Sequence, residues 1–159
     1  DILSTSQDAE AQQFAAIAIA NTSSSTQLCT EILKLEGVIA RLIQYVGNES
    51  ADSIGRQYCA MALGNLLAEP ATHETIFSLG VTAALVTMLK DCTDGRELKS
   101  GRHTAFALSN LASNLAHHKQ MVEQGAIELL IALACCEDPD TQRQAISALR
   151  GLSPTPQLL

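Results

Sequence analysis

The chain has 159 residues, of which 47% are hydrophobic and only 3% aromatic. This share of hydrophobic residues is enough to form a core, which excludes a disordered protein. The scarcity of aromatic residues favours an all-α fold over a β-sandwich. The net charge of −7 opposes attraction to nucleic acid or to anionic membranes, so neither is expected as a partner.

The first part of the chain is predicted to form four helices. The first has capping-box spacing between Ser4 and Gln7, and its apolar residues recur at helical spacing toward Asn21. The small hydroxyl residues that follow compete for backbone hydrogen bonds, so they end this helix and cap the next. The other three helices are predicted at residues 26–36, 38–47 and 55–68.

The same pattern restarts after Pro70 and once more after Ser113, which brings the expected total to ten helices. In the first of these units, Arg96 to Lys99 belong either to a long polar connection or to an early start of the helix that carries Asn110. In the second unit, Asp138 followed by Pro139 predicts a helix start. The remaining predicted helices lie at 72–80, 81–90, 114–125 and 126–135.

A nine-residue stretch recurs through the chain as AIAIANTSS, AMALGNLLA, AFALSNLAS and AISALRGLS. Aligned on one marker position, the copies place Asn21, Asn65, Asn110 and Gly151 at steps of 44, 45 and 41 residues. The alanines three positions before the marker are predicted to be buried: Ala18, Ala62, Ala107 and Ala148. A glycine series, Gly37, Gly80 and Gly125, has the same phase. Two series in phase indicate a repeated unit of three helices.

These units resemble armadillo repeats over essentially the whole chain, through the glycines of GVI, GVT and GAI and the endings ALGNLL, ALSNLA and ALRGLS. The resemblance implies a right-handed α-solenoid, a superhelix of three-helix repeats. It predicts one domain over 1–159, with a partial repeat at 1–24 and further repeats at 25–69, 70–113 and 114–153. HEAT repeats are the nearest alternative, but they have two helices and lack this pattern. Because the first unit has only a third helix, we expect a longer solenoid with apolar faces at both ends.

In armadillo proteins the third helices line a concave groove, and the marker asparagine points into it. A carboxamide can both donate to and accept from the backbone of an extended peptide. Side chains four and seven positions before the marker share its helix face, so we predict a groove for a protein or peptide partner. Its predicted residues are Asn21, Tyr58, Met61, Asn65, Arg102, His103, Phe106, Asn110, Arg143 and Gln144. The alternative is that each asparagine only bonds a loop carbonyl.

The charges along the predicted groove indicate its preferred partner. Importin-α-like proteins that bind basic peptides in their groove carry a tryptophan four positions before the marker. This chain has Ile17, Met61, Phe106 and Ser147 at that position, so a basic peptide is not the expected partner. Four arginines fall in the third helices: Arg56, Arg102, Arg143 and Arg150. They predict a mildly basic groove, similar to that of β-catenin, and an acidic or phosphorylated partner, unless they are merely solvated. Asp52, Asp138 and Asp140 are expected only to cap helices or to favour their dipoles.

No catalytic, cofactor or metal site is predicted. The chain lacks the GxxxxGK, GxGxxG, HExxH and GxSxG motifs. His117 and His118 are adjacent and point apart on a helix, while His73 and His103 belong to other repeats, so no zinc site is expected. We therefore expect a binding protein and not an enzyme. The alternative is a structural solenoid segment that self-associates through its apolar ends, with no groove ligand.

The cysteines and the N-terminus indicate the compartment. The five cysteines show no CxxC spacing, which favours reduced thiols, and of Cys135 and Cys136 one is expected to be buried and one exposed. No run of about 18 uncharged apolar residues exists, so membrane insertion is not expected. The N-terminal residues lack the pattern of a signal peptide. A cytoplasmic or nuclear protein is the expectation.

Overall fold

The computed structural model describes residues 8–95 and 98–153, and within these ranges it contains ten α-helices and no strand. The helices are α1 (Ala9–Thr22), α2 (Thr26–Lys34), α3 (Val38–Gly47), α4 (Ser53–Leu67), α5 (His73–Ser78), α6 (Val81–Thr93), α7 (Gly101–Ala112), α8 (His118–Glu123), α9 (Ala126–Ala134) and α10 (Pro139–Leu152). Short 3₁₀ turns at Pro70–Thr72, Leu98–Ser100 and Leu115–His117 precede α5, α7 and α8. The predicted number and order of helices are confirmed.

The helix starts follow the capping chemistry of the sequence. The Asp52 carboxylate accepts a hydrogen bond from the backbone N–H of Gly55 at 2.6 Å, and that of Asp138 accepts one from Thr141 at 2.8 Å. Asp8 caps α1 in the same way. The capping box predicted for Ser4 and Gln7 lies outside the described residues.

The glycine series marks the turns that precede the second helices. Gly37, Gly80 and Gly125 immediately precede α3, α6 and α9, with φ angles of 76°, 83° and 79°. A side chain would be strained in this left-handed conformation, so only glycine permits the turn at low cost. This part of the repeat pattern therefore follows from backbone geometry.

The helices of equivalent position stack in rows and form a right-handed α-solenoid. The third helices α1, α4, α7 and α10 contact one another in chain order, and so do the second helices α3, α6 and α9. Ala62, Ala107 and Ala148 are completely buried between the rows. The same prediction for Ala18 is wrong, because this residue is exposed on α1, whose own repeat has no second helix among the described residues.

The structure does not support an early start of α7, which was one of the two alternatives predicted for Arg96 to Lys99. The helix begins at Gly101, and Leu98–Ser100 form a separate 3₁₀ turn, so the early start does not occur in this segment. Arg96 and Glu97 lie outside the described residues. The Thr104 hydroxyl donates to the carbonyl of Ser100 at 2.9 Å and links α7 to the preceding turn.

Arg56 is a buried residue of α4 and not a cation of the groove, so this prediction is wrong. It is 1% exposed, and its Nη2 lies 2.9 Å from Asp91 Oδ2 of α6. Nε and Nη2 also donate to the carbonyl of Val46, at 3.1 and 2.9 Å. The guanidinium therefore joins α4 to the ends of α3 and α6, where water cannot reach it.

All five cysteines are free, as predicted. Cys59 is fully buried, and burial raises the pKa of its thiol to about 12. The prediction that one of Cys135 and Cys136 is buried is wrong, because the first is exposed and the second is half-buried. Both follow the end of α9, where the chain turns toward α10 at the surface.

In the part of the chain that the structure describes, no single helix has both the length and the apolar composition to cross a membrane. The helix pair Pro70–Ser78 and Val81–Thr93 meets these criteria only when taken together, and it is bent by 86°.

Candidate peptide-binding groove

The third helices provide a continuous surface. Because α1 packs on α4, α4 on α7 and α7 on α10, the outward sides of these four helices adjoin one another. We call this the third-helix surface. All ten predicted groove residues lie on its four helices, and each of them is at least partly exposed. Their role in binding stays a prediction.

The central asparagines connect neighbouring third helices. Asn110 Nδ2 donates to the carbonyl of Gly64 at 2.9 Å, and Asn65 Nδ2 donates to the carbonyl of Ala20 and to Ser23 Oγ, both at 3.3 Å. The donor side of each carboxamide is therefore used within the fold. Among the described residues, neither Oδ1 accepts a hydrogen bond, so the acceptor of each carboxamide is not used within the fold.

The two ends of the asparagine series differ from its centre. Asn21 is exposed, and its side chain has no hydrogen bond within the described residues. At Gly151, an added Cβ would lie only 2.8 Å from Cβ of Ala112 on α7. The fourth copy of the marker is therefore a close helix contact, which an asparagine could not enter.

Three apolar or aromatic side chains occupy the middle of the third-helix surface. Tyr58 and Met61 of α4 and Phe106 of α7 are half-buried. The Phe106 ring lies over Gly64, where a side chain's Cβ would come within 2.6 Å of Cδ1. The absence of a side chain at Gly64 thus lets the partly exposed Phe106 ring pack against α4.

A group of charges lies at the α7 and α10 end of this surface. Arg102 and Arg143 both approach the carboxylate of Asp140, with Nη1 to oxygen distances of 3.5 and 3.1 Å. The three side chains are 51%, 72% and 49% exposed. The expectation that Asp140 only favours the helix dipole is therefore wrong. Its three-residue spacing from Arg143 could have indicated that pair, but Arg102 comes from another helix.

Polar side chains surround this charged group. His103 and Gln144 are half-buried, and burial lowers the pKa of His103, assisted by the charge of Arg102. Hydrogen bonds from the side chain and backbone of Thr141 lower the pKa of Asp138, and Arg102 adds to this effect. A cleft lined by Gln57, Lys99, Arg102, Asp138 and Thr141 continues the surface toward the starts of the third helices.

One contact on this surface was not predicted. Ser109 of α7 and Ser147 of α10 share a hydrogen bond of 2.7 Å between their hydroxyl oxygens. Ser147 lies among Arg143, Ile146 and Arg150 in a shallow cleft on α10. No local signal identifies such a pair, because the two hydroxyls meet only when the helices stack.

The predicted separation of the histidines is wrong for one pair. The ring centroids of His73 and His117, which belong to different repeats, are 5.7 Å apart. Across the described residues, no group of three or more metal-ligating side chains could hold a metal ion.

Comparisons with known proteins agree with this architecture. The family model of the armadillo/beta-catenin-like repeat matches residues 119–153. A designed armadillo repeat protein superposes with a TM-score of 0.83 at 21% identity, over 96% of this chain and 62% of its own. The chain thus has the fold of an armadillo-repeat solenoid, and residues 119–153 match the repeat in sequence. Among curated proteins, no sequence matches it significantly.

Two further solved structures share the armadillo fold of this chain. An engineered protein from a structural genomics consortium has a TM-score of 0.82 at 27% identity, over 94% of this chain and 59% of its own. A designed armadillo repeat protein in complex with the peptide (KR)4 has a TM-score of 0.79 at 21% identity, over 96% of this chain and 62% of its own. The chain thus spans 59% to 62% of the length of these structures.

Proposed function

We propose that this armadillo chain is a protein-binding scaffold, not an enzyme, and that it holds an extended peptide along the third-helix surface. The observation that carries the proposal is the direct stacking of the four third helices, which aligns their exposed side chains in one row. The designed armadillo repeat protein solved with (KR)4 supports a peptide as the kind of partner.

The hydrogen-bonding groups suggest how such a peptide is held. Because Nδ2 of Asn65 and Asn110 is already bonded within the fold, Oδ1 is left to accept from peptide backbone N–H groups. Tyr58, Met61 and Phe106 offer apolar area between these acceptors. Backbone recognition gives affinity for many sequences, whereas the apolar contacts select side chains.

The charges suggest an acidic or phosphorylated peptide, opposite in sign to (KR)4. Arg102 and Arg143 are more than half exposed. Together with Lys99 in the adjoining cleft, they place three positive charges beside the two carboxylates of Asp138 and Asp140, which leaves an excess of one positive charge. A guanidinium can bind a carboxylate or phosphate through two parallel hydrogen bonds. Arg150, which is also exposed on α10, extends the same positive region.

Peptide binding by fluorescence anisotropy tests this proposal. The probes are an acidic peptide with two apolar anchors, its phosphoserine form, and a lysine version of the same sequence. R143Q is expected to weaken acidic binding by about 1 to 2 kcal/mol, roughly 5- to 30-fold in Kd. D140N is expected to have the opposite effect, because it frees both arginines. K119Q is the matched control, since Lys119 is 87% exposed on α8, outside the third-helix surface.

Two results would overturn the proposed groove. One is preferential binding of the lysine peptide. The other is equal loss of affinity in R143Q and K119Q. Binding to the acidic peptides is also expected to weaken between about 50 and 300 mM salt, because exposed charges are screened over the Debye length.

Self-association is a second candidate, favoured by one position on α10. Five residues before the marker, Ala16, Ala60 and Ala105 are completely buried, whereas Ile146 is 48% exposed. An apolar side chain is thus left uncovered where the other third helices bury one. Sedimentation velocity over a concentration series tests this candidate. A dimer that forms without peptide and is lost in I146K supports it, and a monomer at all concentrations rejects it.

A further inference from the structure

A second unusual group of side chains lies away from the third-helix surface, between the first helices of two successive repeats. His73 and Phe77 belong to α5, His117 ends the 3₁₀ turn Leu115–His117, and His118 begins α8. We call these four residues the histidine cluster. The His117 ring is stacked on Phe77, with centroids 3.9 Å apart and planes inclined by 26°.

His117 is buried without hydrogen bonds. It is 4% exposed, and neither Nδ1 nor Nε2 has a partner among the described residues. A neutral imidazole has one donor and one acceptor, and in this site both are removed from water without replacement. The charged form would bury two unpaired donors and a full charge, which is much less favourable.

In the preceding repeat, the side chain at the position equivalent to His117 does form a hydrogen bond. There Thr72 is completely buried, and its hydroxyl donates to the carbonyl of Leu66 at 2.6 Å. The next position is histidine in both repeats: Nε2 of His73 bonds Leu67 O at 2.6 Å, and Nε2 of His118 bonds Ala112 O at 2.7 Å. The fourth repeat therefore keeps the hydrogen-bonded histidine, as His118, but has the titratable ring of His117 where the preceding repeat has Thr72.

We propose that the histidine cluster is an acid-sensitive contact, in which the turn Leu115–His117 separates from α5 when His117 binds a proton. This inference is independent of the proposed peptide binding. The stacked, water-excluded position of His117 accommodates only the neutral ring. Opening the contact exposes the ring to water, which can solvate the imidazolium ion.

The neighbouring groups act in the same direction. Burial lowers the pKa of His117, and the charges of His73 on α5 and His118 on α8 lower it further. Both of these titratable groups are bases, so they oppose protonation of His117. Because the folded-state pKa is below the unfolded value of about 6.5, the contact is at full strength above that pH and weakens as the pH falls through the folded-state pKa.

Amide hydrogen exchange of the full chain, corrected for the intrinsic pH dependence of exchange, measures this opening. Between pH 6.5 and 5.5, the opening constant for residues 115–123 is expected to rise by up to about tenfold, the limit for uptake of one proton per pH unit. H117T is expected to abolish the rise, because threonine can form the bond that Thr72 makes. H103Q is the control, since it removes a histidine from α7 outside the cluster.

The ring titration of His117 in the unmodified protein provides a second measurement, which stays informative if H117T does not fold. An NMR midpoint below that of an unfolded reference peptide supports the proposal. A midpoint at or above the reference value overturns it. The proposal also fails if H117T keeps the same acid response, or if H103Q alone removes it.

Discussion

Replacement of Arg56 by methionine is expected to lower the free energy of unfolding by about 3 to 5 kcal/mol, the usual cost of removing one partner from a buried ion pair. Arg56 and Asp91 are each 2% exposed in their side chains, and their contact distance is 2.9 Å. Methionine fills part of the same volume but cannot donate. The Asp91 carboxylate then loses its buried cation, and the carbonyl of Val46 loses both donors from the guanidinium.

Urea unfolding followed by circular dichroism at 222 nm measures the effect of R56M. A domain of ordinary stability, about 5 to 15 kcal/mol, is expected to remain folded in water but to unfold at a much lower urea concentration. An unchanged m-value would show that the loss is one of stability and not of compactness. Because the pair is shielded from solvent, the difference between wild type and variant should depend little on salt.

Two further variants make the comparison decisive. K34M removes the exposed pair between Lys34 and Glu31, whose side chains are 69% and 62% exposed, and is expected to cost less than about 1 kcal/mol. R56M/D91L replaces both buried charges and should recover part of the loss, because no unpaired carboxylate remains. If R56M costs no more than K34M, or if the double variant costs the sum of its single changes, the two buried charges do not stabilise each other as expected.

Two other predictions follow from the contacts of the asparagines and the burial of the cysteines. N110A should lower the melting temperature, because the lost hydrogen bond to the Gly64 carbonyl contributes about 0.5 to 1.5 kcal/mol to stability. N21A is the control and should leave the melting temperature nearly unchanged. Equal shifts in the two variants would contradict the assigned hydrogen bond. With a chromogenic disulfide reagent at pH 8, the exposed Cys135 should react first. Cys59 should react only after unfolding, because it is buried and burial raises the pKa of its thiol to about 12. Early modification of Cys59 would contradict its burial.

The succession of helices could be predicted from the sequence, because the signals for it are local. Gly37, Gly80 and Gly125 adopt a backbone conformation that other residues rarely tolerate, and this requirement holds whatever packs around them. Asp138 and Pro139 likewise begin α10 through their own capping geometry. The spacing of these signals was enough to predict three-helix repeats, and the resemblance to armadillo repeats implied a row of third helices.

The contacts of the polar side chains could not be predicted in this way, because their partners come from other repeats. Arg56 occupies a helix position that could equally face solvent, and its burial depends on Asp91, 35 residues further along the chain. The sequence suggested that the Asn110 carboxamide offers both a donor and an acceptor to a peptide, but its Nδ2 donates to a carbonyl 46 residues earlier in the chain. Periodicity predicts which residues share a helix face, but it does not predict which distant side chain contacts that face. That depends on the distance and rotation between stacked helices.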